Sequence, residues 1–326
     1  MLAAMGYLVP CRLRPPAAYE NVQVTSPQAR PLAPSALSLG AAPAAFVLIW
    51  STGFIVARYG MPYAPPLKFL AMRFAISTAC FLIWAVVARA RWPRGRAQWL
   101  HLCVVGMLMN ALYLSGVWSA VKAGMGAGLT ALIVGLQPVL TAVWVSSRGT
   151  RLHGRQWFGL GLGLAGLLLV VWQKLGVGEV NGLTLAYTIG ALLAITLGTL
   201  YQKRFVEPCD VRTANFIQLG AAFVVTLPFS LLENEAFQWV SPNGAVNAEL
   251  IGAMGWSVLG LTLGGSSLLY LMIQRGAATS VTSLFYLVPA TTSLLAWLLF
   301  SEPLTTFVLA GLALSAAGVF LAVSRR

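Results

Sequence analysis

Residues Gly128 to Trp144 read GLTALIVGLQPVLTAVW, and residues Thr279 to Trp297 read TSVTSLFYLVPATTSLLAW. Each is a long apolar stretch with a proline near its centre, Pro138 in one and Pro289 in the other, 151 residues apart. A short polar turn follows each. Then comes a second apolar stretch, WFGLGLGLAGLLLVV from Trp157 and FVLAGLALSAAGVFLAV from Phe307. Across one inserted residue, Leu152, Gly159 and Gly166 match Leu304, Gly311 and Gly318 at an offset of 152. The chain thus carries one unit twice, from Gly128 to Val171 and from Thr279 to Val323. A helix that is apolar all round is either deeply buried or faces lipid, and a duplicated membrane bundle accounts for both copies.

Composition points the same way. Of 326 residues, 58% are hydrophobic and 9% charged, with a mean hydropathy of +0.80. Soluble domains carry about 25% charged residues, so most of this surface must face lipid. Only helices and closed barrels satisfy their backbone groups in a bilayer. Barrel strands alternate polar and apolar residues over ~10 positions. The runs here are about twice that length and do not alternate, so the fold class is all-α integral membrane.

Ten spans follow from the runs, at approximately 37–57, 67–88, 99–121, 127–146, 157–173, 182–202, 213–232, 249–273, 279–300 and 306–323. Residues 1–36, rich in Pro, Ala and Arg, read as a disordered cytoplasmic tail or as the product of a misassigned start codon. Residues 37–175 form a first five-helix half and 180–323 a second. Pro65 and Pro66 lead into the second span, as suits the first turn of a helix.

Charge fixes the orientation. The loops and termini on one side hold sixteen Lys and Arg, among them Arg89, Arg91, Arg94 and Arg96. The other side holds four: Arg58, Lys68, Lys122 and Lys174. Positive charge stays in the cytoplasm, which puts both termini on the cytoplasmic side of the cell's inner membrane. The net charge of +13 therefore marks membrane topology and implies no nucleic acid. The fourth span enters from outside and the ninth from the cytoplasm, so the two copies are inverted in the bilayer. Inverted repeats are a recurring transporter plan, with the solute site near the midplane between them.

At this point the residues resemble a family. Two five-helix halves, each ending in a proline-centred helix and a glycine-rich one, look like the drug/metabolite transporter superfamily, EamA type. WSTGF at Trp50 to Phe54 resembles that family's first helix. PPLKFLAMRF resembles its second, which brings an arginine, here Arg73, after a proline turn. SEPLT at Ser301 to Thr305 resembles the turn between spans nine and ten. In the first half RGTRLH puts Thr150 where the family has glutamate, so only Glu302 keeps that position. The resemblance implies a carrier exporting amino acids, other metabolites or toxic compounds, without a cofactor.

Several residues are candidates for the transport path. Arg73 is the one strong charge inside a span, roughly 9 Å beyond the start of its helix. A charge at mid-bilayer costs ~3 kcal/mol or more and usually faces a cavity or a partner. Arg73 either attracts the carboxylate of a solute or snorkels to the headgroups. Pro138 and Pro289 each remove a helical hydrogen bond and are read as paired kinks shaping a cavity. Gln137 lies beside the first kink, and Ser283, Thr291 and Thr292 lie beside the second. Asn110 and Tyr113 in span three match Ser266, Ser267 and Tyr270 in span eight. These polar groups line a cavity or serve as glue between helices. Trp50 and Tyr286 suit stacking on a solute, while Trp118 and Tyr201 read as interfacial belt residues. Gly159, Gly163, Gly166, Gly311, Ser315 and Gly318 form small-residue faces for close packing, with a homodimer seam as the alternative use.

Other classes fit less well. Both histidines, His101 and His153, lie near the cytoplasmic boundary, and all eight carboxylates lie at span ends, in loops or in the tail. That leaves Ser266 and Ser267 without a base at matching depth and offers no metal ligand set. No P-loop is present for ATP use. The four cysteines show no paired spacing. A channel or a membrane sensor on the same bundle stays open as an alternative to a carrier of small-molecule solutes.

Overall fold

The computed structural model of the protein describes residues 36–147, 153–175, 178–241, 243–268 and 287–323. Among these the chain is all helical, apart from one isolated antiparallel bridge between Val240 and Val246. The helices are α1 (Ala36–Gly60), α2 (Pro66–Val87), α3 (Arg96–Gly106), α4 (Tyr113–Lys122), α5 (Ala127–Val134), α6 (Gln137–Ser147), α7 (Gly154–Leu175), α8 (Gly182–Phe205), α9 (Val211–Leu231), α10 (Ala248–Trp256), α11 (Leu287–Phe300) and α12 (Thr306–Val323). Two π-helical segments interrupt the rods. We label them π1 (Met107–Leu112), which joins α3 to α4, and π2 (Ser257–Gly265), which continues α10.

Seven helical stretches are long and apolar enough to cross a bilayer, and three shorter apolar helices accompany them: Ala44–Gly60, Leu287–Phe300 and Thr306–Gly318. The start of the ninth expected span, 279–286, lies outside the described residues, as do the tail and Thr150. Large apolar side chains stand exposed along the outer faces, with Val87, Trp172 and Leu231 more than 70% accessible. A bundle presenting such a surface belongs in lipid.

Helix starts are set by local chemistry. Pro65 and Pro66 open α2 in the position where a missing N–H costs nothing. Asn181 and Thr184 form a reciprocal capping box on α8, at 2.9 and 3.0 Å. Asp210 caps α9 through the Arg212 amide at 2.9 Å, and Asn247 caps α10 through the Leu250 amide at 3.2 Å. Two other helices receive their caps from far along the chain. The Glu233 carboxylate accepts from the Leu67 and Lys68 amides of α2, at 3.0 and 2.8 Å. Glu302 accepts from the Ala127 and Gly128 amides at the start of α5, at 3.1 and 3.5 Å.

The halves interlock through antiparallel pairs of equivalent helices. Along α5 and α11, the neighbours run from Gly128 beside Ser293 to Gly135 beside Pro289, so the two proline helices point in opposite directions. The α7 and α12 pair is closer still. A Cβ on Gly166 would sit 2.5 Å from the Gly311 carbonyl oxygen, and Ser315 Oγ donates to the Gly163 carbonyl at 3.3 Å. The small-residue faces are thus used within one chain. Cross-pairs follow the same logic: α1 packs on α10 and α11, and α8 packs on α4, α5 and α6. Ser51 of α1 reaches the Val288 carbonyl at 3.5 Å, while Thr199 of α8 meets Gln137, the residue 151 positions before Val288.

One face of the bundle gathers the loops at 61–65, 123–126, 178–181, 232–247 and 301–305. Lys122 Nζ bonds the Met61 carbonyl at 3.1 Å and the Glu235 carboxylate at 2.7 Å. Lys68 Nζ donates to the Glu235 carbonyl at 2.6 Å, and Thr305 donates to Gln173 at 2.7 Å. Tyr63 lies beside Glu249, whose carboxylate holds the phenol above its ordinary pKa. The long loop after α9 is therefore a strap across this face. The opposite face is tied by a reciprocal pair between Gln98 and the backbone of Glu207, and by Arg212 on Asp210 at 3.0 Å.

Candidate solute site

Arg73, the eighth residue of α2, is buried, with 8% of its surface accessible. Its Nε and Nη2 both donate to Thr262 Oγ1, at 3.3 and 3.1 Å. Thr262 lies inside π2 and passes its own proton to the Ser257 carbonyl at 2.8 Å, the five-residue reach that a π-helix allows. The snorkelling expected as one reading of Arg73 is overturned: the side chain crosses to another helix and stays in the core.

The second π-segment meets the same region. Tyr113, buried and first in α4, lies within electrostatic reach of the Arg73 guanidinium. Asn110 is half-buried within π1. Shifted by the 151 residues that separate Pro138 from Pro289, π1 falls on 258–263, inside π2. Both repeat-related helices therefore widen at equivalent depth. A π-bulge adds a residue to one turn and marks functional positions often.

Trp50 is half-buried and packs against π2 from the other side. A Cβ on Gly265 would lie 3.7 Å from the Trp50 ring, three residues along from Thr262. Phe46 flanks it at 5.5 Å between centroids. Arg73, Tyr113, Trp50 and Asn110, all singled out from sequence, are thus gathered around the two π-segments.

Other expected site residues are placed elsewhere. Gln137, 7% accessible, donates its amide to Thr199 Oγ1 at 2.6 Å and ties α6 to α8. Pro138 does more than kink its helix. The helix stops at Val134, turns through Gly135 and Leu136, and restarts at Gln137, because proline provides no N–H for Val134 and its ring crowds that carbonyl. Pro289 sits in the first described turn of α11 and touches Gly135 across the cleft between the proline helices, which Leu132, Leu136 and Leu312 also line. Tyr270, Tyr286 and Ser283 lie outside the described residues. Trp118 is not a belt residue: it is 1% accessible and stacks on Phe69 at 4.5 Å. Tyr201 bonds His101 at 2.9 Å near the end of α8.

Sequence reasoning missed three hydroxyls. Thr262 carries no signal that separates it from other span threonines. Ser77 is fully buried one turn beyond Arg73, on the same face by helical spacing, and that spacing was readable. Thr226 of α9 is also buried. Among the described residues, neither Ser77 Oγ nor Thr226 Oγ1 has a hydrogen-bond partner.

Comparison with known proteins agrees with this architecture. A crystal structure of a protein 18% identical in sequence superposes with a TM-score of 0.59, covering 88% of this chain and 97% of the other. The uncharacterized transporter YvbV of Bacillus subtilis (strain 168) is 27% identical over 284 residues, 84% of this chain and 88% of YvbV. A probable amino-acid metabolite efflux pump of Escherichia coli (strain K12) is 24% identical over 282 residues, 85% of this chain and 92% of the pump. The profile of the EamA-like transporter family matches twice, over residues 40–172 and 182–324, and between them the two matches take in most of the chain. With each half matching separately, this multi-pass membrane protein belongs to the EamA-like transporter family, whose members are transporters rather than enzymes.

Proposed function

We propose that the protein is a ten-span inner-membrane carrier that exports small amphipathic metabolites such as amino acids. Its two five-helix halves, 37–175 and 180–323, lie inverted in the bilayer and alternate access by rocking against each other. Both termini face the cytoplasm. The observation that carries this reading is the antiparallel, crossed pairing of equivalent helices from the two halves. Each half leans on the other through α5 with α11 and α7 with α12, so a swing of one must be answered by the other.

The solute sits between the π-segments, with Arg73 and Tyr113 at its polar end and Trp50 and Asn110 as walls. Pro138 and Pro289 break or bend the helices that would close over it. The export direction and the amino-acid class draw support from the relative named as a probable amino-acid metabolite efflux pump. The basic face carries the cytoplasmic loops, in keeping with the positive-inside rule.

Counterflow in proteoliposomes tests the reading. Vesicles loaded with pooled unlabelled amino acids accumulate labelled ones from outside, with no assumption about a coupling ion. Protein-free vesicles do not. Equal uptake in both preparations excludes an amino-acid carrier, and a C-terminal reporter found outside the cell overturns the orientation.

A further inference from the structure

Among the described residues Arg73 has no counter-ion. Its guanidinium carries five N–H donors, and the bonds it makes spend two of them on one neutral hydroxyl. All eight acidic residues fall in loops, in the tail or in a first helical turn: Glu20, Glu179, Glu207, Asp210, Glu233, Glu235, Glu249 and Glu302. The sequence of the undescribed stretch 269–286 contains none either. A charge held in a low-dielectric interior without an opposite charge is costly, and membrane proteins keep such residues where a mobile partner meets them.

Two further groups at the same level are unmatched. Along α2 and α9 the antiparallel register runs from Leu67 beside Glu233 to Thr78 beside Gly220. That register sets Thr226 level with Arg73, and Ser77 lies one turn away. Both hydroxyls are buried, and neither has a partner among the described residues. Unpaired buried donors cost free energy that a ligand's acceptors restore.

We infer that the solute itself completes this site: Arg73, with the Ser77 and Thr226 hydroxyls, receives a carboxylate, so the carried species is a small carboxylate-bearing zwitterion or anion. This rests on the carrier reading above and deepens it. The guanidinium fork fits a carboxylate with two parallel bonds, and the hydroxyls donate to its remaining lone pairs. Tyr113 and Trp50 are left to face the rest of the molecule. Loaded, the guanidinium is paired with the solute's carboxylate. Empty, the site holds one uncompensated positive charge.

The test pairs leucine and phenylalanine with their carboxamides, leucinamide and phenylalaninamide. Thermal melting of the purified full-length protein reads binding, and counterflow reads transport. The acids raise the melting temperature while the amides bind roughly tenfold more weakly or worse. Arg73→Gln abolishes the shift. Ser77→Ala and Thr226→Val, which leave the charge in place, each weaken the acid by about three- to tenfold. They keep the measurement informative where Arg73→Gln fails to fold. Stabilisation by amides equal to that by acids, by none of the four, or unchanged in Arg73→Gln overturns the carboxylate site. The two readings fail differently. Counterflow of acids and amides alike sinks the site and leaves the carrier standing, while Arg73-dependent stabilisation by the acids without counterflow does the reverse.

Discussion

Glu302 offers the sharpest perturbation, because a single carboxylate of the second half closes a helix of the first. Oε1 accepts from the Ala127 amide at 3.1 Å, and Oε2 stands at 3.5 Å from the Gly128 amide. Two residues earlier, the Phe300 ring packs at a tilt against Tyr59, 4.7 Å between centroids, and lies under Arg58 at 5.8 Å. The end of α11 therefore holds α1 and α5 together on the strapped face. Replacing a capping side chain by alanine costs ~1 kcal/mol, and a carboxylate at a helix N-terminus adds ~0.3–1 kcal/mol through the helix dipole. One bond here is long and the group is half-exposed, so about 1–2 kcal/mol is the expected loss for Glu302→Ala. Glu302→Gln keeps an acceptor and loses the charge, for about half of that.

In a carrier that opens on this face, the cap must break, so its loss favours the open form. About 1.4 kcal/mol is a tenfold change in an equilibrium constant. A single cysteine at Ser293, buried beside Gly128, reports the opening in a background otherwise free of cysteine. A membrane-impermeant maleimide applied from the strapped face should label it about tenfold faster in Glu302→Ala, with Glu302→Gln between the two. An unchanged labelling rate alongside a lowered melting temperature would show that Glu302 only stabilises α5. Unchanged values of both would refute the energetic argument itself.

Three other expectations are simpler. Gly166→Ala, which drives a Cβ into the Gly311 carbonyl, should cost ~1–3 kcal/mol as overpacking; at ~2–4 °C per kcal/mol melting falls by several degrees. Gly161→Ala, on the same helix with nothing within 4 Å, should leave melting unchanged or raise it, and equal losses in both would contradict the close α7–α12 contact. Gln137→Leu removes one bond to Thr199 and should keep counterflow within about twofold, since interhelical bonds in membranes average ~0.6 kcal/mol; lost transport would return Gln137 to the solute site. Burial pushes the Cys209 thiol up, the Gln98 amide opposes this, and Asp210 adds to the rise. Less thiolate is then present at neutral pH than for an ordinary cysteine. Maleimide labelling of Cys209 should be slow near pH 7, climb about tenfold per unit through pH 9, and quicken in Asp210→Asn. A rate flat in pH would remove burial as the cause.

Hydropathy made the spans legible, because a 20-residue apolar run has few other fates. Small residues at four-residue spacing made the α7–α12 seam legible, since nothing else lets backbones approach so closely. The break before Pro138 was legible as a disturbance and not in form. Proline dictates that a bond is lost, and the neighbours Gly135 and Leu136 decide that the chain turns where it would otherwise bend. The π-segments left no trace in the sequence. MLMNAL and SVLGLTLGG are ordinary span sequences; π1 packs on α8 and α9, and π2 on α1 and α2. Trp118 was misread for a related reason. A tryptophan near a span end is equally consistent with the interface and the core, and only the facing Phe69 distinguishes them.

Symmetry in the backbone and asymmetry in the side chains divide the work of this protein. The paired π-segments and the paired proline helices are shared by both halves, in keeping with the rocking mechanism proposed above. The charged groups are not shared. Arg73 stands in α2, whereas its counterpart α9 holds no charged residue beyond Arg212 in its first turn. Glu302 stands in the second turn, where the first half has Thr150. On the carboxylate proposal, a solute with one carboxylate has no twofold axis, so one arginine in one half suffices. A carrier that prefers one resting state likewise needs a carboxylate latch on one face alone. On the proposed reading, departures from the repeat carry the chemistry and agreement with it carries the mechanics.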